Sequence, residues 1–229
     1  MASPVRARQL AFDLVHQESF RREDFVVGPS NAEAFALIAR WPDWAAPVAA
    51  LIGPEGAGKS HLAAIWAAEA GARLIAARAL REAELPAALA TGALVVEDLA
   101  AGRYDENALF HLLNLAREHE AFLLLTAADA GALRPRLPDL ASRLRAVPAV
   151  RIGAPDETLL GAVLVKLFAD RQLQVDAGLV RFLVSRIERS VPAARAAVAQ
   201  LDAEALRRGR PVNRAFAAEL FRAGGEGLC

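Results

Sequence analysis

GPEGAGKS, residues 53–60, decides how the rest of the chain is read. It has the spacing G-x-x-x-x-G-K-[ST]. It stands between VAALIG (48–53), an apolar run of strand character, and KSHLAAIWAAEA (59–70), which has helical periodicity. A strand–loop–helix setting is what such a loop requires. Glycines without a Cβ let successive N–H groups turn toward a phosphate, and the helix N-terminus adds partial positive charge. In this reading Gly53, Pro54, Glu55, Gly56, Ala57 and Gly58 form the cradle. Lys59 brings a point charge to the β- and γ-phosphates, and Ser60 offers a hydroxyl to Mg²⁺. His61 flanks the loop and reads as a contact or packing residue of the site rather than a catalytic base. Lys59 and Lys166 are the only lysines among 27 basic residues, so neither is incidental to a composition that otherwise prefers arginine.

Outward from the loop, strands and helices alternate. RLIAARA (73–79), ALVVEDL (93–99), AFLLLTA (121–127) and AVRIG (149–153) read as further strands. LREAELPAALA (80–90), NALFHLLNLAREHE (107–120) and PDLASRLRA (138–146) read as the helices between them. Continuous apolar strands separated by helices predict a five-stranded parallel sheet covered on both faces, an α/β sandwich. Glu97 and Asp98 close one apolar run at the carboxyl end of its strand, where ligands of open α/β sheets bind. A carboxylate there holds Mg²⁺ directly or through water, so Ser60, Glu97 and Asp98 are the candidate metal set, and a neighbouring carboxylate orients an attacking water.

After Pro155 the strands stop. Helices are predicted over 156–171, 176–189, 191–209 and 213–223, with Asp156 and Asp176 as N-caps and Pro192 in a first turn. The expected organisation is a tail over 1–22, a nucleotide-binding core over 23–154 and a small all-helical lid over 155–229. Trp41 and Trp44, at the entry to the first strand, read as packing or cap residues. The 229 residues carry 27 basic and 27 acidic side chains, a formal net charge of +0, which argues against life on a phosphate backbone. No apolar run is long enough to span a bilayer, the N-terminus lacks a signal peptide's apolar centre, and the single cysteine is Cys229. A cytoplasmic protein without membrane contact is expected.

GKSHL, the VVEDL strand, LLLTA, LPDLASRL and the helical lid together resemble the DnaA branch of the AAA+ ATPases, and within it the Hda-like regulators of the replication initiator. The resemblance covers nearly the whole chain. It implies bound ADP or ATP with Mg²⁺, and it places DFVVGPSN (24–31), with Phe25, Val26 and Val27, along the adenine pocket. Arg143 in SRL matches the arginine finger, which in AAA+ rings faces a neighbour's nucleotide. Sensor 1 falls on Ala128 or on Asp129 one step later. Sensor 2 falls on Arg189, with Arg195 as competitor. A glutamate at position 97 and a weak sensor 1 imply slow or absent ATP hydrolysis by the chain itself. The implied role is regulatory inactivation of DnaA: a clamp-bound adaptor that stimulates hydrolysis of DnaA-bound ATP in trans and prevents over-initiation. The implied partners are DnaA and the DNA polymerase III sliding clamp (β subunit), with possible self-association. The sequence runs only to Cys229, with nothing basic and helical left to enter a major groove, so DNA is expected only indirectly, through the clamp. Two rival readings are an autonomous P-loop ATPase and a DNA-binding initiator or loader of the DnaA family.

The clamp enters through RQLAFDL (8–14), where Leu10, Phe12 and Leu14 alternate behind Gln9. From pattern alone this is an edge strand. In the family it resembles the QLxLxL peptide that docks on the sliding clamp, dropping alternate side chains into apolar pockets while the glutamine fixes register. Each buried anchor is worth roughly 2 kcal/mol, and ordering the tail subtracts from the sum, so one peptide binds at tens of micromolar or weaker. Replacing Gln9 and Phe12 by Ala is expected to abolish clamp binding in a surface-plasmon assay. Undiminished binding would return the tail to its edge-strand reading.

Overall fold

The computed structural model describes residues 20–223, and the tail motif Gln9, Leu10, Phe12 and Leu14 lies outside them. Helix α1 (Ala32–Ala39) precedes strand β1 (Val48–Ile52), and the phosphate-loop sequence leads into α2 (Lys59–Ala70). Then follow β2 (Arg73–Ala76), α3 (Leu85–Ala88), β3 (Ala93–Leu99), α4 (Glu106–Glu118), β4 (Phe122–Ala127), α5 (Pro138–Arg145) and β5 (Ala149–Arg151). The five strands form one parallel sheet, as the sequence predicts, and the structure gives their order as β2-β3-β4-β1-β5.

The unbroken apolar strands follow from burial on both faces. Ala50, Ile52, Leu94, Val96, Leu123 and Leu125 face a core closed by Leu109 and Leu112 of α4 and Leu140 of α5. Their neighbours in sequence, Ala49, Leu51, Val95 and Leu124, face the other core, closed by Ile38 of α1 and Leu62 and Trp66 of α2. Trp44 stacks on Trp66 at 5.1 Å and donates its indole N–H to the Leu37 carbonyl at 2.8 Å, and Trp41 meets Trp66 edge-on at 6.4 Å.

Three elements stop well short of their sequence pattern, beyond the one or two residues by which other ends differ. The strand from Arg73 stops at Ala76 and passes into a single 3₁₀ turn, Ala77–Ala79. The helix over 80–90 shrinks to a 3₁₀ turn (Glu82–Glu84) and α3, because Pro86 has no N–H and fits only a first turn. The helix beginning after Asp176 ends at Val184, where the Ser185 hydroxyl bonds the Phe182 carbonyl and the chain turns.

Four helices complete the described residues: α6 (Glu157–Asp170), α7 (Ala177–Val184), α8 (Val191–Arg208) and α9 (Arg214–Ala223). The predicted caps form. Asp156 accepts from the Leu159 N–H at 2.7 Å and Asp176 from the Leu179 N–H at 2.8 Å; Pro192 takes the expected first turn of α8, which Ser190, a cap the sequence reading did not name, opens. These helices have their own core, with Leu160, Leu164, Phe168, Leu183, Val198 and Phe216 buried. No helix of the described residues is long and apolar enough to cross a membrane. Trp66 is fully buried under the sheet and two other indoles rest on it. Trp66→Ala is therefore expected to cost about 3–5 kcal/mol in urea unfolding.

Candidate functional site

The carboxyl ends of β1, β3 and β4 open onto a cavity of about 1070 Å³ between the sheet and the C-terminal helices. Glu55, Gly56, Ala57, Gly58, Lys59, Ser60 and His61 all line it. Gly56 (φ +73°) and Gly58 (φ +98°) hold the left-handed backbone that the loop needs. A Cβ at Gly56 would sit 2.8 Å from Cδ of Pro192, and one at Gly58 would sit 3.3 Å from the Phe25 ring. The loop is thus pressed between the entry segment and α8, and the Val191 N–H donates to the Gly56 carbonyl at 3.3 Å.

Gly53 and Pro54 are not on the wall. Their carbonyls accept from Lys59 Nζ at 2.7 and 2.8 Å, which anchors the buried ammonium beneath the loop. Burial pushes the Lys59 pKa down, and the nearby carboxylates of Asp98, Glu55 and Glu97 oppose that shift. Two of these carboxylates, Glu97 and Asp98, come near the lysine through an irregularity in β3. Val96 pairs with Leu125 but Leu99 pairs with Ala127, so Glu97 and Asp98 together oppose Thr126. Asp98 takes φ 58° and gives its N–H to the Thr126 hydroxyl at 3.0 Å. The bulge puts Asp98 on the cavity wall and leaves Glu97 Oε1 buried without a hydrogen-bond partner.

An orphaned carboxylate oxygen, a second carboxylate on the wall and the Ser60 hydroxyl suit a hard divalent cation with oxygen ligands. Among the described residues no group of three or more His, Cys, Asp or Glu side chains could hold a metal by itself. The set therefore fits an ion that brings ligands of its own, as Mg²⁺ on phosphate oxygens does.

Other expected site residues separate into two groups. Phe25, Val26, Ala128 and Arg195 line the cavity. Val27, 47% exposed, does not. Asp129 caps the next turn, accepting from the N–H groups of Gly131 and Ala132 at 2.7 and 3.1 Å. Arg189 is also off the wall. It sits in the turn that follows the early end of α7 and pairs with Glu157 at 2.6 Å, so of the two expected arginines Arg195, one turn into α8, is the one that lines the cavity. Arg143, half-buried on α5, lies outside the cavity with its guanidinium 4.9 Å over the Phe110 ring, and it makes no ion pair with Asp139.

Sequence reasoning missed the clasp around the entry segment. Asp24 accepts from Lys166 Nζ of α6 at 2.7 Å, and Lys166 also pairs with Asp170. Asn31 ties the segment to itself, donating to the Val26 carbonyl at 3.0 Å and accepting from the Gly28 N–H at 2.8 Å. The rarity of lysine was the one signal that pointed to Lys166. His61 Nε2 lies 3.0 Å from the Arg21 carbonyl, and its ring meets Phe20 and Phe25 edge-on at 5.4 and 5.2 Å. Burial lowers the His61 pKa, outweighing the Arg21 hydrogen bond that raises it, and Arg195 lowers it further. A folded-state pKa below that of the unfolded chain means that unfolding takes up a proton at mildly acid pH. The His61 contribution is complete above about pH 6.5 and is lost as the pH falls toward the folded value. Stability measured by denaturant titration should fall as the pH drops below about 6.5, and His61→Phe should flatten that slope.

No family model matches the chain, and no curated protein sequence matches it. Solved structures do. Domain III of the replication initiation protein DnaA from Thermotoga maritima superposes with a TM-score of 0.72 at 18% identity, over 89% of this chain and 96% of that one. The Thermotoga maritima RuvB Holliday junction branch migration motor gives 0.69 at 17% identity, over 86% and 70%. A replication initiator DnaA bound to AMPPCP and single-stranded DNA gives 0.63 at 18% identity, over 82% and 66%. With its parallel sheet, its glycine loop at the end of β1 and its helical C-terminal region, this chain has the AAA+ fold.

Proposed function

We propose that the chain is an Hda-like regulator of DnaA: it binds ADP or ATP in the cavity and uses Arg143 on a nucleotide held by another molecule. The observation that carries this reading is the position of Arg143. It stacks on Phe110 away from the chain's own cavity, which supports a role on a nucleotide held by another molecule. The cavity already holds the groups that suit a resident nucleotide: the glycine loop, Lys59, Ser60 and Arg195, with Phe25 and Val26 beside the adenine and residues 155–229 acting as the lid. Mg²⁺, held by Ser60, Asp98 and Glu97, would neutralise phosphate charge there. Glu97, half-buried and off the cavity wall, reaches the ion only from behind Asp98, a weaker metal set that supports weak or absent hydrolysis by the chain itself.

In this mechanism the chain does no covalent chemistry. Its guanidinium, always charged and forked, stabilises charge that builds on a transferring phosphoryl group. The ring of Phe110 holds that guanidinium by its negative face and limits the freedom lost on docking. The tail peptide, with Gln9, Leu10, Phe12 and Leu14, tethers the complex to the sliding clamp, and DnaA is the target. Arg143→Ala is expected to lower stimulated hydrolysis of DnaA-bound ATP by on the order of 10³-fold, with nucleotide affinity and clamp binding unchanged. Unaltered stimulation would sink the trans mechanism. Brisk turnover by the isolated chain, on the order of 1 per second, would instead favour an autonomous ATPase.

A further inference from the structure

The charge balance of the whole chain hides an uneven distribution. From Pro155 to Ala223 there are eleven basic and eight acidic side chains. Seven of the eight acids are engaged. Asp156 and Asp176 cap helices, and Glu157, Asp170, Asp202, Glu204 and Glu219 form ion pairs with Arg189, Lys166, Arg171, Arg207, Arg208 and Arg210. Arg195 belongs to the cavity wall, and Arg222 donates to the Ala218 carbonyl. What remains is Arg181, Arg186 and Arg214. They are not scattered: with Phe182 and Ser185 they line one concavity of about 310 Å³ between α7 and the start of α9. All three are exposed, and none makes an ion pair among the described residues. The guanidinium of Arg186 lies 5.3 Å over the Phe182 ring, and that ring is braced edge-on by Phe221 at 6.0 Å.

We propose that this concavity is a phosphate-contacting surface for the backbone of nucleic acid, separate from the nucleotide cavity and independent of the function proposed above. Three guanidinium forks around one hollow suit a ligand that delivers negative charges in close succession. A phosphodiester chain does so, with one charge per about 1.7 Å of duplex axis. A protein carboxylate arrives singly, on its own stem. The Ser185 hydroxyl hydrogen is given to the Phe182 carbonyl, so the guanidinium forks are the side-chain donors that the hollow offers. The contact is therefore electrostatic and indifferent to sequence, with the Phe182 ring as an apolar floor for a sugar.

Fluorescence anisotropy of a labelled 30-base-pair duplex with the full chain tests this. Three phosphate contacts predict a slope near −2.7 of log affinity against log salt, hence roughly 40-fold weaker binding at 200 mM than at 50 mM. A triple variant, Arg181→Ala with Arg186→Ala and Arg214→Ala, should bind at least 10-fold more weakly at 50 mM salt, with a slope near zero. The triple Arg→Lys variant should keep the slope, which guards against a mere folding failure. Wild-type binding by the alanine variant, or absence of salt-dependent binding by the parent chain, overturns the proposal. So does competition by poly-glutamate that exceeds unlabelled duplex at equal charge, which would assign the hollow to an acidic protein.

Discussion

The architecture depends on one backbone contact, where the bare glycine at position 56 meets the first turn of α8. The Val191 N–H bonds the Gly56 carbonyl, and there is no room for even a methyl group between the loop and Pro192. The C-terminal helices have a buried core of their own, against which Val26 of the entry segment also packs. Their placement comes from this contact and from the partly buried Asp24–Lys166 pair, which is less screened than an exposed ion pair worth about 0–1 kcal/mol. Given those two ties, Arg195 comes to the cavity by the geometry of α8 alone.

Most of the sheet half could be read from local pattern. The runs that became β1, β3 and β4 are apolar throughout because both faces are covered, and the ends of α2 are marked by glycines at 58 and 71 in left-handed conformation. Asp156 and Asp176 announced two helix starts through a short-range hydrogen bond, which sequence can carry. The site was less legible wherever it depends on distant partners. Val27 belongs to the same apolar run as Phe25 and Val26, yet it leaves the wall. Arg189 was expected within a helix over 176–189, but α7 stops at Val184, where the Ser185 hydroxyl bonds the Phe182 carbonyl, a contact that periodicity does not register. The bulge that turns Asp98 toward the cavity needs Thr126 on the neighbouring strand, 28 residues away.

Charge statistics show the same limit. A net charge of +0 is a sum over the chain, and it says nothing of where acids are consumed as caps and ion-pair partners. Around α7 the basic residues are the ones left over. Around α5 a different economy holds: Glu106 of α4 accepts from the N–H groups of Arg136 and Leu137 at 3.0 and 2.8 Å, while Phe110, one turn on, carries Arg143. One helix therefore fixes both ends of the next, and the guanidinium is presented from a rigid support rather than a loop.

Lys59 sits tied to the loop that it serves. Of its three donors, two are given to the carbonyls of Gly53 and Pro54, so any anion entering the cavity must trade against bonds already made. A ligand with one oxygen to offer gains little from such an exchange. One that arrives with a row of oxygens compensates the lysine and the loop amides together. Admission is thereby graded by how many acceptors a visitor brings, and small inorganic anions are poor competitors even where they are abundant.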